Sequence, residues 1–230
     1  MKSRSELKIS AKQALTGKIL ISFAIILIPT LIASLPTALF SKKEAAEITV
    51  PLLVTLFSTA LSIALMPMFT GVKLYFQNVY RKEGDGFSNL IERYKGGCGW
   101  EIIKAKLLSE IYILIGLFLL IIPGIYLAFK YSMIDYIFAD KKDIKYAEAM
   151  RESGEIMKGN KARLFVLVLS FIGWFFVGVI TLCLGFIYVI PYVETTLAAF
   201  YLDIRKPLEE QPIENNFLDD IKEEKVYDEF

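Results

Sequence analysis

Four ionisable side chains fall inside apolar stretches of this chain: Glu110, Lys130, Asp135 and Glu194. A charge at the centre of a membrane helix costs about 2.5–3.5 kcal/mol on insertion scales, so such groups usually face a bundle interior and pair. Lys130 lies six residues past Gly124, and Glu194 lies nine past Gly185. If both glycines mark turns at the same membrane face, the depths differ by about 5 Å at 1.5 Å per residue. Two long side chains can close that gap, so an intramembrane Lys130–Glu194 pair is expected. It would either fix helix register or line a polar pathway for a proton or substrate. Register is the simpler reading, because a relay normally shows more than one deep carboxylate. Glu110 and Asp135 lie within about a turn of the inner boundary and read as interfacial.

Other chemistry is hard to assemble from these residues. The chain has no histidine, which removes the commonest general base, metal ligand and pH switch together. Asp85 with Glu92, and Glu101 with Glu110, form carboxylate pairs by spacing, but they sit among or beside lysines and fit salt-laced surface helices better. Gly96, Gly97 and Gly99 precede a helix, whose start can hold an anion. The Gly-x-Gly-x-x-Gly and Walker spacings are nevertheless absent. Cys98 and Cys183 fall on opposite membrane faces in the topology below, so two unpaired thiols are expected. The expectation is a protein with no catalytic residues, no metal site and no cofactor.

The elements that must carry these residues are membrane helices. The 230 residues are 55% hydrophobic, and several apolar runs reach the roughly 18–20 residues that cross a hydrocarbon core. The class is all-α: a polytopic membrane helical bundle of about six transmembrane helices with basic amphipathic interfacial segments. The transmembrane domain covers residues 19–203, with spans at 19–40, 50–72, 107–122, 125–139, 164–182 and 186–201. The first span is too long for the core of a cleavable signal peptide and reads as retained. Residues Leu107–Ala139 would be about 50 Å long as one helix, and Pro123-Gly124 near the middle is a turn signal, so the stretch divides into two short spans.

Basic segments separate the spans. Residues 1–18 place Leu7, Ile9, Ala11, Ala14 and Leu15 among lysines. They form either a helix on the inner leaflet or a solvated lead-in. In residues 74–106, Phe87, Leu90, Ile91 and Tyr94 recur at helical spacing; in 140–163, Ile144, Ala147, Met150, Gly154 and Met157 share a face. Lys8, Lys12, Arg151, Lys158, Lys161 and Arg163 are the expected lipid headgroup contacts. Residues 204–230 form an acidic tail of a composition that favours disorder.

With the N-terminus cytoplasmic, the inner segments hold five, six and seven Lys plus Arg, while the outer ones hold two, none and none. That is the positive-inside bias, and it supports the split at Pro123-Gly124. Both termini are then cytoplasmic. Gly116, Ile125 and Tyr126 also echo Gly178, Ile187 and Tyr188 at an offset of 62, a pattern of parallel repeats or of chance.

Met157-Lys158-Gly159 with Lys161, Arg163-Leu164-Phe165, Ser170-Phe171-Ile172-Gly173-Trp174, Pro191-Tyr192 and Phe200-Tyr201 carry a resemblance, joined by Pro123-Gly124. The chain resembles a family of uncharacterised integral membrane proteins of bacteria, mostly Gram-positive. That family is distantly similar to the membrane domain beside glycerophosphodiester phosphodiesterases. The resemblance implies a membrane location and a helical bundle, and it implies no activity. Two functions fit. One is non-enzymatic association in the bacterial envelope with anionic inner-leaflet lipid, a second copy or another membrane protein, and not with nucleic acid. The other is a small permease or exporter, such as one protecting against membrane-active peptides, with its pathway near Lys130 and Glu194.

Overall fold

The computed structural model describes residues 1–40, 49–84, 86–181 and 184–209. The Lys42–Lys43 segment, Cys183 and the acidic tail from residue 210 lie outside the described residues. Among the described residues every regular element is a helix.

Helix α1 (Arg4–Leu15) opens on a capping box. The Ser3 hydroxyl accepts the Glu6 N–H at 3.3 Å, and the Glu6 carboxylate accepts the Ser3 N–H at 2.7 Å. Leu7, Ala11 and Leu15, spaced by four, are buried in the main core. This face is covered by protein rather than by the inner leaflet, because α12 and α4 pack against it. Helix α2 (Ile19–Phe40) contains Pro29 and Pro36.

Helices α3 (Thr49–Ala64) and α4 (Met66–Arg81) are bent by 40° at Leu65. Pro67 sits in the first turn of α4. It lacks an N–H and its ring crowds the carbonyl one turn back, which breaks the run there. The expected second span therefore ends too early, at Val72. α4 continues to Arg81 and buries Leu74, Tyr75, Phe76, Gln77 and Val79, where a polar connection was expected. The continuation is possible because Lys73 has an interior partner, described below.

After α5 (Asn89–Glu92) and a 3₁₀ turn at Lys95–Gly97, α6 (Cys98–Leu119) and α7 (Ile121–Tyr131) form a hairpin. The reversal is at Leu120, in extended conformation (φ −161°, ψ 144°), not at Pro123-Gly124. Pro123 occupies the first turn of α7, where its missing N–H costs nothing. Gly124 is the point of closest approach: a Cβ there would lie 2.7 Å from the Leu117 amide nitrogen. Tyr112 and Tyr131 stack across the hairpin with centroids 6.2 Å apart. The 11 residues of α7 rise about 16 Å, about half of a 30 Å hydrocarbon core.

The expected span at 125–139 is in fact two helices. The chain turns at Ser132, whose hydroxyl donates to Phe129 O at 2.8 Å, and α8 (Ile134–Asp140) enters the core. Helix α9 (Tyr146–Ile156) buries Ala149, Met150, Ser153, Gly154 and Ile156. The chain then leaves through Gly159 in the left-handed region (φ +74°). Helices α10 (Lys161–Leu169), α11 (Ile172–Ile180) and α12 (Phe186–Glu209) complete the fold. A Cβ on Gly185 would lie 2.9 Å from the Gly178 Cα, and one on Gly116 would lie 3.0 Å from the Gly124 Cα. Each hairpin thus apposes two glycines near its reversal.

Among the described residues three stretches are long and apolar enough to cross a membrane: Ile19–Ala38, Lys161–Ile180 and Phe186–Arg205. The bent α3–α4 pair makes a fourth if it is one span. Phe118, Ile122 and Ile180, at the hairpin ends, are 93, 81 and 78% exposed. Exposed large apolar side chains grouped at a hairpin end mark contact with lipid or another protein.

Candidate functional site

A polar network lies where α4, α6, α8 and α12 meet. Thr70, Lys73 and Gln77 share one face of α4, at the three- and four-residue spacing of neighbours on a helix. Lys73 Nζ lies 2.6 Å from Glu194 Oε2. The Tyr136 hydroxyl donates to the same oxygen at 3.4 Å. Lys106 Nζ lies 3.0 Å from Asp135 Oδ2, and the Thr70 hydroxyl donates to Asp135 Oδ1 at 2.8 Å. Gln77 donates to Tyr136 O at 2.9 Å. A cavity of about 310 Å³ borders Lys73, Asp135 and Tyr136, with Phe129, Leu164 and Leu197 on its apolar side.

Glu194 is therefore paired with Lys73, not with Lys130. Turns at Gly124 and Gly185 would bring the two residues to similar depths, but the reversal lies at Leu120, α7 ends at Tyr131 and Lys130 points toward α9. Its ammonium lies 5.1 Å from the Tyr131 ring centroid, and its chain crosses Gly154. Asp135 is not interfacial either, being bonded inside the bundle. With the second span ended at Val72, Lys73 reads as a boundary lysine that snorkels to the interface; the structure turns it inward to Glu194 instead. Extending that helix would have put Thr70, Lys73 and Gln77 in one polar stripe.

Two further ion clusters tie the bundle base together. Asp140 accepts from Arg81 at 2.7 Å and from the Tyr201 hydroxyl at 3.3 Å, and pairs with Arg205. Asp203 accepts the Lys2 amide at 2.9 Å and pairs with Arg163 at 3.2 Å. Arg163 is thus committed to the protein and is not a free headgroup ligand. Lys8 is also engaged: its ammonium donates to Ser170 O at 3.1 Å and lies 4.2 Å from the Phe171 ring centroid. Lys12 is exposed.

The remaining expected headgroup residues converge. Arg151, Lys158 and Lys161 line one cavity of about 280 Å³ with Lys130, Tyr126, Gly154 and Glu155. Lys161 Nζ sits 4.2 Å from the Tyr126 ring centroid. A separate cavity of about 430 Å³, lined by Ser88, Glu92, Arg93, Lys95, Cys98, Lys142 and Asp143, carries both signs of charge. Arg93 donates through Nη2 to Ala139 O at 2.6 Å, while its buried Nε and Nη1 have no hydrogen-bond partner among the described residues. The hydrogen bond from Lys142 holds the Glu92 carboxyl below its ordinary range. Burial pushes the Cys98 thiol up, the opposite of what activates a nucleophilic cysteine. Among the described residues no group of three or more His, Cys, Asp or Glu is placed to hold a metal.

One family model matches, described as a protein of unknown function (DUF975), over residues 91–207, just over half of the chain. The chain belongs to the DUF975 family. The matched DUF975 region runs from the end of α5 through most of α12, and leaves α1 to α4 outside it. The Lys130–Lys161 cavity lies wholly within the DUF975 region, whereas Lys73 and Thr70 of the polar network do not. No curated protein and no solved structure matches the chain.

Proposed function

We propose that this is a multi-pass protein of the bacterial cell membrane, with both termini cytoplasmic, that works by association with lipids and other proteins rather than by catalysis. The single observation that carries this reading is polarity along the hairpins. The reversal of α6–α7 is apolar and exposed, and its other end meets a cavity with four cations. That arrangement suits a bilayer interior at one end and an anionic leaflet at the other. The bacterial setting rests on the resemblance described above.

The orientation does not depend on six full crossings. A hairpin returns to its starting face whether or not it reaches the other side. With α2, the α3–α4 pair, α10–α11 and α12 as crossings, and α6–α7 as a hairpin, the basic segments stay on the cytoplasmic face. Cysteine labelling tests this. In a Cys98→Ser/Cys183→Ser background, Arg151→Cys should react with an impermeant maleimide only after cells are opened. Reaction in intact cells would overturn the orientation. Association itself is tested by retention of anionic against zwitterionic lipid by the purified chain; equal retention would overturn it.

A second reading is a small permease or exporter, favoured by the 310 Å³ cavity beside Lys73, Asp135 and Tyr136. Substrate-dependent flux in liposomes, lowered by Glu194→Gln, would support it. Absence of flux with the native chain would remove it.

A further inference from the structure

Charge neutralisation is uneven across this molecule. Lys73, Arg81, Lys104, Lys106, Lys141, Lys142, Arg163 and Arg205 each pair with a carboxylate. The four cations around the α7–α9–α10 cavity form no ion pair among the described residues, and only Glu155 of that lining is acidic. We propose that this cavity binds the phosphomonoester headgroup of a membrane lipid. The inference rests on the lipid-association reading and names the chemistry of the lipid.

The cavity is built rather than incidental. Ser153 joins α9 to the end of α7: its hydroxyl donates to Lys130 O at 2.8 Å and accepts the Met133 N–H at 3.3 Å. Gly154 leaves the passage for the Lys130 side chain, since a Cβ there would stand 2.9 Å from Lys130 Cε. Arg151, Gly154, Glu155 and Lys158 follow at three- and four-residue steps, which places them along one side of α9 and its exit. Lys161 begins α10, whose N-cap residue Asn160 makes no side-chain cap bond. The Asn160 amide donates to Ile156 O instead, so the start of α10 keeps its capacity to bind an anion.

Charge and shape select a monoester. Four cations against Glu155 leave three positive charges around about 280 Å³. A phosphodiester brings one negative charge and has substituents on both sides. A monoester brings about 1.5–2 negative charges at neutral pH and three terminal oxygens. Those oxygens can meet a guanidinium fork and several ammonium groups at once. The positive-inside bias accounts for basic residues at this membrane face. It does not require a lysine from the last turn of α7 to pass over a glycine into the same cavity.

The surroundings favour a lipid as the carrier. Tyr126 lines the cavity and is 55% exposed. Exposed Ile122 on α7 and exposed Phe165 and Leu169 on α10 lead away from it at one-turn intervals. A phosphate among the cations would leave an acyl chain lying on that apolar surface.

The test uses the full chain in an uncharged detergent, with bound lipid read by native mass spectrometry and stability by Tm. The probes are dioleoyl phosphatidic acid, phosphatidylglycerol and phosphatidylcholine, with glycerol 3-phosphate as the soluble monoester. Phosphatidic acid should be retained at least tenfold more strongly than phosphatidylglycerol, and glycerol 3-phosphate should leave Tm unchanged. Arg151→Gln/Lys158→Gln should remove the preference, and Gly154→Leu should remove it by filling the Lys130 passage. Lys95→Gln/Lys145→Gln, an equal loss of charge elsewhere, should preserve it. Equal retention of the two anionic lipids, or equal loss in the control variant, would overturn the site while the lipid-association reading stands. Equal retention of phosphatidylcholine would bring down both. A Tm rise with glycerol 3-phosphate matching that with phosphatidic acid would overturn the lipid as the source of the phosphate.

Discussion

Lys73 and Glu194 meet end to end at 2.6 Å, and this contact ties the middle of α4 to α12. The two helices lie far apart in sequence, and α8, packed on α4, sends its Tyr136 hydroxyl to the same carboxylate oxygen. α4 carries this charge through the interior because the charge is matched there.

Removing one partner should therefore cost more than removing both. A buried pair loses about 3–5 kcal/mol when one charge is left alone. About a fifth of each side chain remains exposed here, so Lys73→Met and Glu194→Met should each destabilise by about 1–3 kcal/mol. Lys73→Met/Glu194→Met should recover most of that loss in a double-mutant cycle read by unfolding in mixed micelles. A double variant as unstable as the sum of the singles would show that the two charges are not coupled.

The hairpin glycines give a second test. A Cβ on Gly124 would sit 2.4 Å from the Leu117 Cγ and 2.7 Å from the Leu117 nitrogen, which is backbone and cannot rotate away. Gly124→Val should split α6 from α7, read as loss of monodisperse protein after detergent extraction. Gly173 has nothing within 4 Å of its Cβ position. Gly173→Ala should be neutral or stabilise by about 0.5–1 kcal/mol through helix propensity. Equal behaviour of the two variants would contradict the close packing at Gly124.

Helix positions were legible in this sequence where solvent choice alone decides them. Ile19–Phe40 is apolar all round, and α2 has those bounds. Interior partners were not legible, because a lysine at the end of an apolar run looks the same whether it reaches for water or for Glu194. Pro123-Gly124 misled for a related reason. Proline is tolerated inside the first turn of a helix as well as in a turn, and only the packing of Gly124 on Leu117 separates the two. The cations of the α7–α9–α10 cavity were visible as a basic segment. Their convergence with Lys130 needed the Gly154 passage, which periodicity does not reveal.

The placement of α1 predicts a contrast within one helix. Leu7 is 1% exposed against its protein neighbours, while Ile9 is 54% exposed. Leu7→Ala should lower stability by about 2–5 kcal/mol, the range for a buried leucine, and Ile9→Ala should change Tm little. A helix resting on the lipid surface would instead respond to either change through vesicle binding, with Tm unaffected by both.

The start of α9 should loosen in acid. Glu101 accepts from Lys104 at 2.7 Å and from the Tyr146 N–H at 2.9 Å, and Glu92 pairs with Lys142. The bond from Lys104, and then that from Tyr146, hold the Glu101 carboxyl below its ordinary value of 4.5. A carboxyl whose pKa falls on folding contributes fully above the unfolded value, and the contribution is lost as pH drops through the lowered folded value. Protection of the Tyr146 amide from hydrogen exchange, corrected for intrinsic rates, should therefore hold at neutral pH and decline in the acid range below 4.5. Glu92→Gln/Glu101→Gln should start with weaker protection at neutral pH and show a flatter acid profile. An unchanged profile in that variant would mean that other carboxylates fasten this segment.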